Sequence, residues 1–334
     1  MSKPKTKDYD YLFLSAMLSA REARMLKRDK VGRLIDAPSF SDAAKMLTDF
    51  GYEDMSGMNA NQVEQALSAH RADVFAELAR MLPEPEILDA FRLKYDYHNA
   101  KVLIKAESAD VDGAYLLSDA GRIPSQRLAE VYHSEEYRDL PRALALAMAE
   151  ARSIIKRTEN PQLADFALDK AYFAEMSAMA KGLSSSYLSE YVALSIDIAN
   201  LNAIVRTLRM GRDFDFIKNA LIAGGNINAE RTAQLALSGE PLSQLYSGSE
   251  CQRAAELGES AANGGSLTEF ELSCNAVITK FFDRAKLVNF GAAPVVAYLA
   301  ALENEITAAR MILTGKLSGV NPELIRERLC ELNA

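Results

Sequence analysis

Three stretches about a hundred residues apart write nearly the same helical line: YDYHNAKVLIKA from Tyr95, IDIANLNAIVRT from Ile196 and ENEITAARMILT from Glu303. Set on Asp96, Asp197 and Glu305, they carry Asn99, Asn200 and Ala308 three residues on, and Leu103, Ile204 and Ile312 seven residues on. Five residues on stand Lys101, Asn202 and Arg310, and the first two copies add a base at nine, Lys105 and Arg206. Each helical residue turns about 100°, so offsets of three and seven share one stripe. Acid and amide therefore sit on the apolar, core-facing side. Offsets of five and nine lie on the back and neighbour each other.

The continuation repeats too. After the first copy come Leu117, Gly121 and Ile123, and after the second Leu221, Gly225 and Ile227, with the same internal spacing. Each glycine reads as a left-handed helix stop, followed by a new helix starting near Pro124 or Asn228. The third copy abbreviates this to KLSGVNPEL, with Gly319 and with Pro322 suited to a first helical turn. Such a repeat is too long for a solenoid unit and long enough for a small domain. The expectation is three homologous helical domains, 1–112, 113–215 and 216–334, with pseudo-threefold symmetry.

Elsewhere 3.6-residue periodicity dominates and strand-like alternation is nearly absent, so the fold class is all-α. Helices are expected from Tyr11 to Leu26, Asn61 to Met81, Glu86 to Ala106, Pro141 to Thr158, Pro161 to Lys181, Tyr187 to Met210, Leu267 to Val288 and Pro294 to Thr314. A short one is expected after an N-cap at Ser41 and before a stop at Gly51. The net charge of −8 argues against nucleic acid and against a general attraction to anionic lipid. No signal peptide is read at the start. The longest uncharged candidate for a membrane span, Leu287 to Leu302, is too short and is interrupted by Gly291 and Pro294.

Catalytic signals are missing. Cys251, Cys274 and Cys330 lack metal-type spacing and read as free thiols. Gly315-Lys316 lacks the earlier glycine and the following hydroxyl of a phosphate-binding loop. His70 and His133 read as surface residues, and the other copies have Ala199 and Thr307 in place of His98. No Asp-rich cluster supports a prenyl-chain synthase. Asp96 and Asp197 read as acceptors that fix packing rather than as acid–base groups.

The opening YDYLFLSAMLSAREARML (with Tyr9, Tyr11, Arg21 and Arg24), FRLKYDYHNAKVLIKA, IDIANLNAIVR, LIAGGNI and FGAAPVVAYLAALENEITAARMILTGKLSG together resemble one family in order and spacing. The chain resembles the C subunit of the prokaryotic V-type (A-type) ATP synthases, the counterpart of the d subunit in eukaryotic vacuolar ATPases. It departs at Ala308, where the family's third copy often has asparagine. The resemblance implies a funnel of three helical domains. Its narrow end would sit on the cytoplasmic face of the membrane rotor ring, and its wide end would hold the D and F subunits of the central stalk. Such a protein is peripheral, passes torque for proton or sodium transport linked to ATP synthesis or hydrolysis, needs no cofactor and catalyses nothing. Lys101, Lys105, Arg206, Arg209 and Arg310 are candidates for a partner-facing set, against a simple solvated face. Gripping loops are sought at Phe214-Asp215-Phe216 and Val288 to Pro294. The alternative is a helical scaffold unrelated to a rotor.

Overall fold

The computed structural model describes residues 6–183, 185–285 and 287–333, with side chains to 329. Among these residues there are sixteen α-helices, a few 3-10 turns and no strand. In chain order the helices are α1 (Leu12–Glu22), α2 (Arg28–Asp36), α3 (Phe40–Leu47), α4 (Ala60–Ala79), α5 (Glu86–Ala109), α6 (Ser125–Ser134), α7 (Arg142–Thr158) and α8 (Pro161–Gly182). There follow α9 (Ser186–Arg209), α10 (Phe214–Ala220), α11 (Ala229–Leu237), α12 (Leu242–Leu245), α13 (Gln252–Ala262), α14 (Leu267–Ala285), α15 (Ala292–Leu317) and α16 (Pro322–Asn333).

The chain divides into two compact units. One contains 1–85 and 275–334, and the other is Glu86–Cys274. The first is built around α15, on which α1, α3, α4 and α16 pack. Val295, Val296, Leu299, Leu302, Ile306, Ala309, Ile312 and Leu313 bury α15 on all sides, as expected of a helix at the centre of a core. In the second unit α5, α7 and α8 pack together, α6 covers α5, and α9 is flanked by α8, α10, α11 and α13.

Most expected helices appear with ends moved by no more than three residues. Two expectations need correction. The first helix ends at Glu22, and a separate nine-residue α2 follows, RDKVGRLID, a short amphipathic helix whose apolar side is Val31, Leu34 and Ile35, with Leu34 and Ile35 buried. The N-cap of α3 is Ser39 rather than Ser41: its Oγ accepts from Asp42 N at 3.1 Å. Gly51 ends the following turn with φ 89°.

Among the described residues the helix long and apolar enough to cross a membrane is α9, not the 287–302 stretch. Half of its most apolar window is buried within the protein. The same stretch carries the buried Asp197 and Asn200. Its apolar length reflects two-sided packing in a core.

Candidate functional site

On the first two repeat helices, α5 and α9, asparagine and acid hold the main chain of a returning loop. Asn99 clamps one residue: its Oδ1 accepts from Ser118 N at 2.8 Å, and its Nδ2 donates to Ser118 O at 2.7 Å. Asn200 does the same to Ile222, with both distances 2.8 Å. An amide side chain suits this task because it presents a donor and an acceptor side by side, as a peptide does. The clamp engages Ser118 and Ile222 only through their backbones, so it makes no demand on their side chains. Sequence reasoning missed them, although they occupy one column once Gly121 and Gly225 are superposed.

Four residues beyond each clamped position the acid takes over. Asp96 Oδ1 accepts from Arg122 N at 2.9 Å and from Ile123 N at 3.3 Å. Asp197 accepts from Asn226 N and Ile227 N, each at 3.0 Å, and from Asn226 Nδ2 at 3.0 Å. The two copies differ in their side-chain partner. Arg122 Nε donates to Asp96 Oδ2 at 2.6 Å and its Nη1 to Glu175 at 2.8 Å, while the three donors of Asp197 are neutral. Asp96 and Asp197 are almost wholly buried. Burial raises the Asp197 carboxyl above the ordinary carboxylate range, with the N–H donors pulling in the opposite direction.

Gly121 and Gly225 are explained by this approach, and not, as expected, by a left-handed backbone: neither has positive φ. A Cβ on either would stand far inside van der Waals contact with Oδ1 of Asp96 or Asp197. The glycines let a peptide come down onto the short aspartate side chain.

The third copy closes differently. Gly319 and Pro322 lie beyond the end of α15, whose last turns carry the chain about 18 Å past Glu305, and no bond joins that loop to Glu305 among the described residues. Glu305 instead accepts from Leu26 N at 2.6 Å through Oε2 and from Tyr52 OH at 2.8 Å through Oε1. Ile123, Ile227 and Leu26 each stand two residues before a helix of nine or ten residues, α6, α11 and α2 respectively. The N-terminal segment thus gives α15 what the downstream loops give α5 and α9. Ala308 is buried, and Arg24 occupies the position equivalent to the glycines.

The profile of the ATP synthase (C/AC39) subunit family matches residues 14–328. The chain belongs to that family. It is similar to the C subunit of the A-type ATP synthase of Methanocaldococcus jannaschii, 26% identical over 96% of this chain and 86% of the relative. It is also similar to the C subunit of the V-type sodium ATPase of Enterococcus hirae, 24% identical over 96% of this chain and 98% of the relative. A third relative is the C subunit of the V-type ATP synthase of Thermus thermophilus, 26% identical over 75% of this chain and 81% of the relative.

In this C/AC39 chain the bases on the backs of the repeat helices pair with neighbouring helices. Lys101 and Lys105 of α5 reach Asp169 and Asp165 of α8, each at 2.6 Å. Arg206 meets Glu271 at 3.0 Å, and Arg310 grips Glu64 through Nε and Nη2 at 2.5 and 2.8 Å. Arg209 Nη1 donates to the carbonyls of Ala261 and Gly265 at 2.7 and 2.8 Å, covering the end of α13. Lys105, Arg206 and Arg209 are exposed, the first two with side chains 52% and 58% exposed, more open than Lys101 and Arg310.

His133 is exposed. His70, expected on the surface, is half-buried and stacks on Tyr52 with ring centroids 4.2 Å apart. His98 Nε2 lies 3.0 Å from the carbonyl of Leu116. Cys251 and Cys274 are free and buried, with burial pushing both thiols up to about 12; the Cys330 side chain lies outside the described residues. Phe214-Asp215-Phe216 is the first turn of α10 rather than a loop, and Phe216 meets Phe166 edge-on. The 287–291 loop does expose large apolar groups, Leu287, Val288 and Phe290. In the same unit Tyr9, Leu12 and Phe13 are also exposed, and Gly291 lies against Asp8.

Proposed function

We propose that this protein is the non-catalytic connector of a V/A-type rotary ATP synthase, joining the membrane rotor ring to the D and F subunits of the central stalk. It would act peripherally at the cytoplasmic face of the membrane and correspond to the d subunit of the eukaryotic enzymes, with its three repeats forming the funnel that the resemblance implies. The observation that carries the reading is the C/AC39 match across nearly the whole chain, together with relatives named as C subunits. The acids of the repeats favour a mechanical task. Their oxygens face backbone N–H donors of the same unit, where they hold loops in place instead of meeting a substrate.

A torque-bearing body needs stiffness and grip. Close-packed helices whose loops are pinned by buried acceptors supply stiffness. Lys105 and Arg206 are well-exposed members of the candidate partner-facing set, and the apolar groups at 287–290 suit a second contact. The test is binding of the purified chain to a D–F stalk subcomplex by calorimetry. Tight one-to-one binding is expected, weakened about tenfold or more by Lys105→Glu combined with Arg206→Glu at low salt. No binding by the native chain to either the stalk or the rotor ring would overturn the reading. Unchanged affinity of the double variant would remove these bases from the contact.

A further inference from the structure

We propose that residues 110–117 form a rigid, acid-rimmed apolar peg that docks into the cytoplasmic face of the rotor ring, a partner offering apolar slots between basic loops. The segment lies in the Glu86–Cys274 unit, between the end of α5 and the clamped Ser118. It exposes Val111, Tyr115 and Leu116 at 61, 81 and 51%. The equivalent segment after α9 is folded away. There α10 buries Ile217 and sets Phe216 against Phe166, and Met210 is its one exposed large apolar residue.

The peg is fixed at several points. Asp110 follows α5 in the left-handed conformation, φ 51°, which aspartate tolerates. Val111 N donates back to Ala106 O at 3.0 Å, and Asp112 Oδ1 accepts from Ala114 N at 2.9 Å. A Cβ at Gly113 would stand 2.8 Å from Cβ of Ala106, so the loop lies directly on α5. His98, which has no counterpart in the other copies, donates from Nε2 to Leu116 O at 3.0 Å. Apolar groups already held in place lose little freedom on docking, and tyrosine is a common anchor of protein interfaces.

Charge selects the occupant. Between Ala106 and Gly121 the sequence carries Glu107, Asp110, Asp112 and Asp119, all exposed, and no lysine or arginine. Glu107 is paired with Arg152 at 2.5 Å, while Asp112 and Asp119 each use an oxygen on a main-chain N–H, which leaves their charge in place. Cytoplasmic loops of membrane proteins carry an excess of lysine and arginine beside an apolar edge. With the protein taken as the connector proposed above, the ring is the partner that matches the peg, whereas Lys105 and Arg206 suit an acidic one.

Binding of the full-length chain to the detergent-solubilised rotor ring tests this, with the D–F subcomplex as second probe. Tyr115→Ser with Leu116→Ser should weaken ring binding about tenfold or more, at unchanged melting temperature and unchanged stalk affinity. Asp110→Asn with Asp112→Asn keeps the acceptor for Ala114 N. It should weaken ring binding about threefold at low salt and flatten its salt dependence. Unchanged ring affinity of the Tyr115–Leu116 variant would overturn the peg and leave the connector reading intact. So would a native chain that binds the stalk but not the ring, or a variant that loses the stalk instead of the ring. Equal binding of the native chain to protein-free vesicles of phosphatidylcholine and phosphatidylglycerol would also overturn it, by putting lipid in the ring's place. A native chain that binds neither ring nor stalk would overturn peg and connector together.

Discussion

Asp197 and Gly225 are fitted to each other by one bond length. Aspartate holds its carboxylate close to its own helix, so the peptides it accepts from must descend, and only glycine leaves room for that. Glutamate extends one methylene further, and opposite Glu305 the equivalent position tolerates Arg24. Gly225→Ala should therefore cost about 1–3 kcal/mol, as overpacking at a close contact does, read as a lower melting temperature. Asp197 also makes a pH prediction. Its folded-state pKa is raised by burial, so its contribution to stability is fully present below the ordinary carboxylate pKa and is lost as pH rises through the raised value. Relative to Asp197→Asn, which titrates nowhere in this range, the native chain should gain melting temperature between pH 7 and pH 4. An unchanged difference between the two across that interval would contradict the assignment.

At the scale of elements, the polar pair on α5 and on α9 converts a generic helix into a specific socket. Removing the Asn200 amide would strand the N–H and C=O of the buried Ile222. Asn200→Ala should cost about 2–4 kcal/mol, since two main-chain groups lose their partners. Asn99→Ala should cost less, because Ser118 is partly exposed and water can replace the amide. Chemical denaturation of the two variants compares them directly. Much of this was legible in the sequence: the offset of three puts acid and amide on one buried stripe, and the Leu–Gly–Ile echo marks the loops they hold. The closure of α15 was not legible. Leu26 contributes only a backbone N–H, Arg24 replaces the marker glycine, and α2 is so short that its apolar side is three residues, Val31, Leu34 and Ile35. The backs of the helices were half legible. The bases were evident, but their carboxylate partners on α4, α8 and α14 follow no repeat in the sequence.

For the whole molecule, both ends of the chain belong to the unit built on α15, while Glu86–Cys274 forms the other unit from one uninterrupted stretch. The inner unit can therefore be completed from local sequence, whereas the outer one needs the beginning and the end of the chain together. As connector of a rotary enzyme, the protein would carry load through helices whose loops are pinned by buried carboxylates, with ion pairs across neighbouring helices adding orientation more than energy. Glu305 also imposes an order of events during synthesis. Leu26 and Tyr52 leave the ribosome 279 and 253 residues before the carboxylate that receives them. At about 5–20 residues per second, the first part of the chain waits from roughly ten seconds to about a minute for its counterpart. Through that interval the newborn α2 and α3 lack α15 and α16, the later helices they pack against, and the last helices to be translated end the wait.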